Sequence, residues 1–257
     1  MIAMLVTPKD RHFNYLLRLG DNALILGQRL SEWCGHGPVL EQDIAITNIA
    51  LDLVGQARSV LEYAGQVEGA GRSEDDLAYF RNAHQFFNVL LVEQPNQDWA
   101  YTIVRQFFFD AGHYLILEDL TKSQDEQLAA IARKSLKEVA YHLRYSSEWV
   151  IRLGDGTELS HEKMQNAVND LWMFSGELCT PDDTDRAMLE AGIGADLLRI
   201  QPLYRKKVEE ILQEATLKIP ASDWMQSGGK QGRHTEYMDY ILNEMQQVPR
   251  AMPGLTW

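Results

Sequence analysis

The stretch Asp125–Leu153, DEQLAAIARKSLKEVAYHLRYSSEWVIRL, decides the fold class. Leu128, Ile131, Ala132, Ser135, Val139, His142, Ser146, Trp149, Val150 and Leu153 recur at intervals of three and four, which places them on one face of a helix. Nothing in the stretch alternates with the period of two that a strand requires. Gly154-Asp155-Gly156 ends it.

The same periodicity extends upstream. A helix is expected over about Lys9–Trp33, broken at Cys34-Gly35-His36-Gly37-Pro38, and another over about Glu41–Gln66. The second carries the stripe Ile46, Ile49, Ala50, Leu53, Ala57, Val60, Leu61 and Ala64. A less regular helical region covers Asp76–Glu93, and a third long helix runs over about Gln97–Lys122. With Asp125–Leu153 these make four helices of about 25 residues, each roughly 37 Å long, which suits a four-helix bundle. Shorter helices are expected at Ser160–Gly176, Asp182–Ala191, Asp196–Ala215 and Thr235–Val248, and Ile219–His234 reads as loop. The expected protein is all-α and a single domain over 1–257, with a core bundle at about 9–153 and a helical extension at about 160–257.

Composition narrows the function. The chain has 37 acidic and 24 basic residues, a formal net charge of −13, which argues against a nucleic-acid backbone or an anionic membrane as main partner. The apolar start Ile2–Val6 is too short for a secretory leader, and apolar runs of a few residues predict no membrane span. Cys34 and Cys179 are far apart in sequence, so a reduced, cytoplasmic protein is expected.

The core faces carry unusual polar residues. Asp110 falls within the stripe Trp99, Ile103, Phe107, Tyr114, Leu117, with His113 at its edge. His142 lies in the stripe of the fourth helix, and Glu138 flanks it one turn earlier. A carboxylate-bridged di-iron bundle needs a carboxylate on each of two helices and a Glu-x-x-His on each of the other two. Here the first helix turns Leu16, Leu19, Gly20, Ala23, Gly27 and Leu30 inward, while Asp21 and Glu32 point elsewhere. Gly55 stands where a ligand histidine belongs, and Val139 where Glu-x-x-His wants its acid. The sole Glu-x-x-His, Glu158 to His161, straddles a predicted turn. Asp110, His113, Glu138 and His142 are therefore expected to form a buried polar network. Asp110→Ala then costs roughly 3–5 kcal/mol if the network is charged. Asn48, Asp52 and Gln56 fit either a solvated face or a subunit interface.

Other signals are weaker. Gly228-Gly229-Lys230-Gln231-Gly232-Arg233-His234 precedes a helix, so Lys230, Arg233 and His234 are candidates for an anion or partner contact. No Gly-x-Ser-x-Gly, dinucleotide fingerprint or His-Glu-x-x-His occurs. Cys34 near His36 reads better as a structural cysteine than as a nucleophile. Trp224, Trp257 and Phe107-Phe108-Phe109 exceed what one helix face buries and suggest a protein interface.

Leu17–Arg58 (LRLGDNALILGQRLSEWCGHGPVLEQDIAITNIALDLVGQAR), Asn88–His113, Lys137–Ser160 and Ser227–Gln246 (SGGKQGRHTEYMDYILNEMQ) resemble the PaaC family, the C subunits of bacterial phenylacetyl-CoA epoxidases, and the similarity runs from about Arg11 to Trp257. The resemblance implies a ferritin-like fold and a multicomponent monooxygenase converting phenylacetyl-CoA to its ring-1,2-epoxide. It further implies that the di-iron site belongs to the A subunit, that an NADPH-linked reductase supplies electrons, and that the PaaC chain is a structural partner. No catalytic residue or cofactor carries over to this chain. Two other functions stay open: a metal-dependent oxidase with an unorthodox site on the third and fourth helices, and a helical acyl-CoA-binding module using the loop around Lys230 and Arg233.

Overall fold

The computed structural model describes residues 7–255. The apolar start Ile2–Val6 and Trp257 lie outside them. Among the described residues nine α-helices follow one another: α1 (Pro8–Ser31), α2 (Leu40–Glu68), α3 (Glu74–Tyr79), α4 (Trp99–Leu120), α5 (Glu126–Gly154), α6 (Glu158–Leu171), α7 (Asp183–Glu190), α8 (Leu197–Glu214) and α9 (Glu236–Ala251). Short 3-10 turns fill the connections, and no strand occurs among these residues. The expected all-α, ferritin-like bundle with additional C-terminal helices is the fold observed.

Local chemistry sets the helix ends. Thr7, Ser73 and Asp182 open α1, α3 and α7 with capping boxes. Asp98 and Asp125 cap α4 and α5 through backbone N–H groups of the first turn. Each such cap stabilises its helix by about 1 kcal/mol. α2 stops at Gly69, whose φ of 69° is the left-handed conformation glycine adopts freely.

The bundle is two hairpins, α1–α2 and α4–α5, joined by a long crossover through α3. α1 packs closely on α2. A Cβ on Gly20 would sit 2.8 Å from Leu61, so the small residues of α1 serve helix approach. α6 and α8 pack on the far side of α4, α7 packs on α1, and α9 packs on α3.

That second layer corrects one expectation. Phe107, Phe108 and Phe109 are all buried, because α4 is the shared wall between the bundle and the α6/α8 layer. A helix covered on every side is apolar all round. Each ring contributes about 2 kcal/mol by leaving water, and none is available as an interface.

α2 is covered on one face only. By length and composition alone α2 is apolar enough to cross a membrane. The structure uses it as a bundle helix. One face packs on α1 and α5, with Ile46, Ile49, Leu53 and Leu61 buried. The opposite face keeps Leu40, Ile44, Leu51 and Val54 exposed, from 41% to 71%.

Candidate functional site

The polar residues at the bundle centre resolve into three separate pairings. On α4, Asp110 accepts a hydrogen bond from Gln106 Nε2 at 2.7 Å and lies 2.8 Å from Ser146 Oγ of α5. Burial pushes Asp110 up to about 8, so its carboxyl is protonated at neutral pH. The geometry suits that form. The acid O–H donates to Ser146 Oγ, whose own proton reaches the His142 carbonyl at 3.0 Å.

The other two pairings join α2 to α5. His142 Nε2 lies 2.9 Å from Asp52 Oδ2, and Gln56 Nε2 donates to Glu138 Oε2 at 3.0 Å. Residues four apart on one helix thus meet residues four apart on the other. Burial lowers the His142 pKa, against the pull of Asp52. Burial raises that of Glu138, and the nearby Asp52 adds to the rise. Burial, with His142 close by, depresses His113 to about 3. Its Nδ1, like His142 Nδ1, has no protein partner.

Asp110, His113, Glu138 and His142 therefore do not hydrogen-bond to one another. Gln56 is buried and Asp52 half-buried, both meeting α5 within the same chain, while Asn48 of that trio is exposed. The matched i,i+4 spacing of Asp52/Gln56 and Glu138/His142 was the signal that could have paired them.

This donor set does not fit a di-iron centre. Such a centre needs about four ionised carboxylates and two histidines. α1 offers Leu16, Gly20, Ala23 and Leu30 to the interior. Asp110 is neutral, and Asp52 and Glu138 sit toward the α2/α5 edge. The cavity beside Gln56, His113 and Ser135 is about 20 Å³, room for about one water molecule. Among the described residues, no three His, Cys, Asp or Glu side chains gather where one metal ion could reach them.

The glycine-rich loop does hold anions, and they are internal. Glu177 accepts from Gly228 N at 2.7 Å and Leu90 N at 2.9 Å. Glu93 accepts from Thr235 N at 2.9 Å and Thr235 Oγ1 at 2.6 Å. Gly229 is required here, since a Cβ would fall 2.1 Å from the Asn88 carbonyl oxygen. Lys230 is buried and its Nζ lies 2.9 Å from Asp185. His234 sits between Glu93 Oε1 at 2.6 Å and the Phe86 carbonyl at 2.9 Å. Burial opposes its protonation, yet these acceptors outweigh it and hold the His234 pKa above the ordinary value. Lys230 and His234 are thus taken up within the chain, and Arg233 alone of the three is free of such burial.

Three smaller expectations also meet the structure. Cys34 is exposed rather than structural, and His36 contacts its carbonyl, not its thiol. Glu158 and His161 lie in the first turn of α6, where His161 Nδ1 takes the Gly154 carbonyl at 2.7 Å. Trp224 is exposed as expected.

The fold and the site define a class: an all-α, ferritin-like bundle with polar pairs at its centre and an exposed apolar face on α2. The chain belongs to the family of phenylacetic acid catabolic proteins, whose model matches residues 3–257. Over 243 residues it is 50% identical to the C subunit of the 1,2-phenylacetyl-CoA epoxidase of Escherichia coli (strain K12), covering 95% of this chain and 98% of that one.

Proposed function

We propose that this chain is a non-catalytic structural subunit of a phenylacetyl-CoA 1,2-epoxidase, supporting a di-iron A subunit in phenylacetate degradation. The observation that carries this role is the bundle centre. Asp110 is held protonated there, Asp52 and Glu138 sit toward the α2/α5 edge, and Leu16, Gly20, Ala23 and Leu30 of α1 offer no ligands. The similarity to one subunit of a multi-subunit epoxidase supports the complex. The chain itself then needs no cofactor. Iron belongs to the A subunit, and reducing equivalents come from an NADPH-linked reductase subunit. Two unpaired cysteines support a cytoplasmic setting.

The surface assigned to the A subunit is the outer face of α2. Leu40, Ile44, Leu51 and Val54 form one stripe, the largest run of exposed aliphatic side chains on any helix described. The test is co-purification with the A subunit from the same host, with metal analysis of each fraction. The wild-type chain co-elutes with A, and iron follows A. The double variant Ile44→Glu/Leu51→Glu elutes alone with an unchanged melting temperature, since both positions face water. Stoichiometric iron in the isolated chain after anaerobic Fe(II) loading and desalting would favour instead an oxidase site on α4 and α5. Heat on titration with CoA would favour an acyl-CoA-binding module.

Core and extension are assigned to one folding unit. Arg18 of α1 forks onto Asp182 at 2.8 Å through both Nη atoms, and Tyr15 Oη accepts from Ala195 N at 3.1 Å. Urea unfolding is expected to give one transition, coincident by circular dichroism and tryptophan fluorescence. Two separated transitions would contradict it.

A further inference from the structure

A cleft of about 490 Å³ opens between α8 and the 3-10 turns that follow α6, with Asp223 and Met225 of the succeeding loop on its other side. None of its lining residues belongs to the polar centre or to the α2 face. The volume lies within the range of small-molecule sites. Trp172, Pro202, Tyr204, Val208 and Met225 supply apolar and aromatic wall. Cys179 adds a thiol that burial pushes up to about 12, so it is neutral. The exposed Arg205 and Asp223 approach each other to 3.6 Å, which leaves the cleft without a net charge to attract an ion.

One polar group there is unexplained. Tyr204 is 6% exposed, and its buried hydroxyl makes no well-formed hydrogen bond in the chain, although the Ser175 hydroxyl lies beside it. The Ser175 hydroxyl donates to the Trp172 carbonyl at 2.8 Å. Buried phenols ordinarily find a partner, because desolvating the hydroxyl without one is unfavourable. The wall beside it can yield. A Cβ on Gly176 would fall 2.7 Å from Met225 Cγ, so the glycine makes room for that side chain. Methionine is unbranched and re-packs readily around a guest.

We propose that this cleft binds a small, uncharged aromatic molecule with one hydrogen-bonding group, its ring packed on Trp172 and Met225 and its polar atom meeting the Tyr204 hydroxyl. The site is independent of the subunit role assigned above. A single hydrogen bond sets a preference of roughly fivefold over an apolar molecule of the same shape.

The test uses the full chain with 2-naphthol and naphthalene as probes, followed by fluorescence and by the Met225 signal in protein labelled with methyl-¹³C methionine. The expected result is saturable 2-naphthol binding that shifts the Met225 resonance and exceeds naphthalene binding by roughly fivefold. Tyr204→Phe removes only the hydroxyl, so it folds, and it brings the two probes level. Three results would overturn the proposal: no saturable binding, binding that leaves Met225 unmoved, or a 2-naphthol preference that is absent in the wild type or survives in Tyr204→Phe.

Discussion

Replacing Asp110 with asparagine is expected to stabilise the protein at pH 7 and flatten its pH dependence. In the folded protein the Asp110 carboxyl stays protonated up to about 8. In the unfolded chain it ionises near 4. Between those values the native state binds the extra proton, so stability falls as pH rises from about 4 and levels off above about 8. At pH 7 the loss reaches a ceiling of about 4 kcal/mol. Asparagine keeps the shape and the contacts. Its Oδ1 accepts from Gln106 and its Nδ2 donates to Ser146, while it has no charge to lose on folding. Urea denaturation from pH 4.5 to 8.5 reads the result. A wild-type profile no steeper than that of Asp110→Asn would show the carboxyl to be ionised, and asparagine would then destabilise. The expectation that Asp110→Ala breaks a charged network is replaced accordingly: alanine removes a neutral acid and leaves Gln106 Nε2 and Ser146 without their partner.

Asp21→Ala is expected to cost about 3–5 kcal/mol, a large share of the total stability. Asp21 and Arg81 are both buried, and their fork–fork pair joins α1 to the end of the α3 segment. Asp21 Oδ2 also accepts from Phe87 N at 2.8 Å. Arg81 lies 4.0 Å from the Phe86 ring centroid, and its Nη1 donates to the Gln85 carbonyl at 2.8 Å. Alanine at 21 leaves the guanidinium buried without its carboxylate and orphans an N–H. The double replacement Asp21→Leu/Arg81→Met removes both charges and is expected to recover most of the loss. Equilibrium denaturation of the three proteins decides it. A single variant within about 1 kcal/mol of wild type would mean that water reaches the pair.

The bundle was legible because its helices bury one face, and period carries that information. The stripe of α2 from Ile46 to Ala64 is buried as counted. Where a helix is covered on all sides, period is silent, and Phe108 and Phe109 looked surplus until α6 and α8 closed over them. Pairings between distant segments left no local trace. Asp21 meets Arg81 across 60 positions, and Lys230 meets Asp185 across 45. The acids that fill the glycine-rich loop, Glu93 and Glu177, lie far upstream, so an outward-facing anion site was the natural reading of the loop alone. Asp52 and His142 were half legible, since each helix shows its own i,i+4 pair and only the register between the helices was missing.

The Glu93 and Glu177 pairings also order events in time. Both carboxylates are buried in the middle of the chain, yet several of their donors lie at Gly228, Lys230, His234 and Thr235, near its end. During synthesis the crossover around Leu90–Gln94 emerges long before those donors exist. Sealing it early would strand two charges away from water, at several kcal/mol each. The interior around the crossover is therefore complete only when residues 228–235 dock on it.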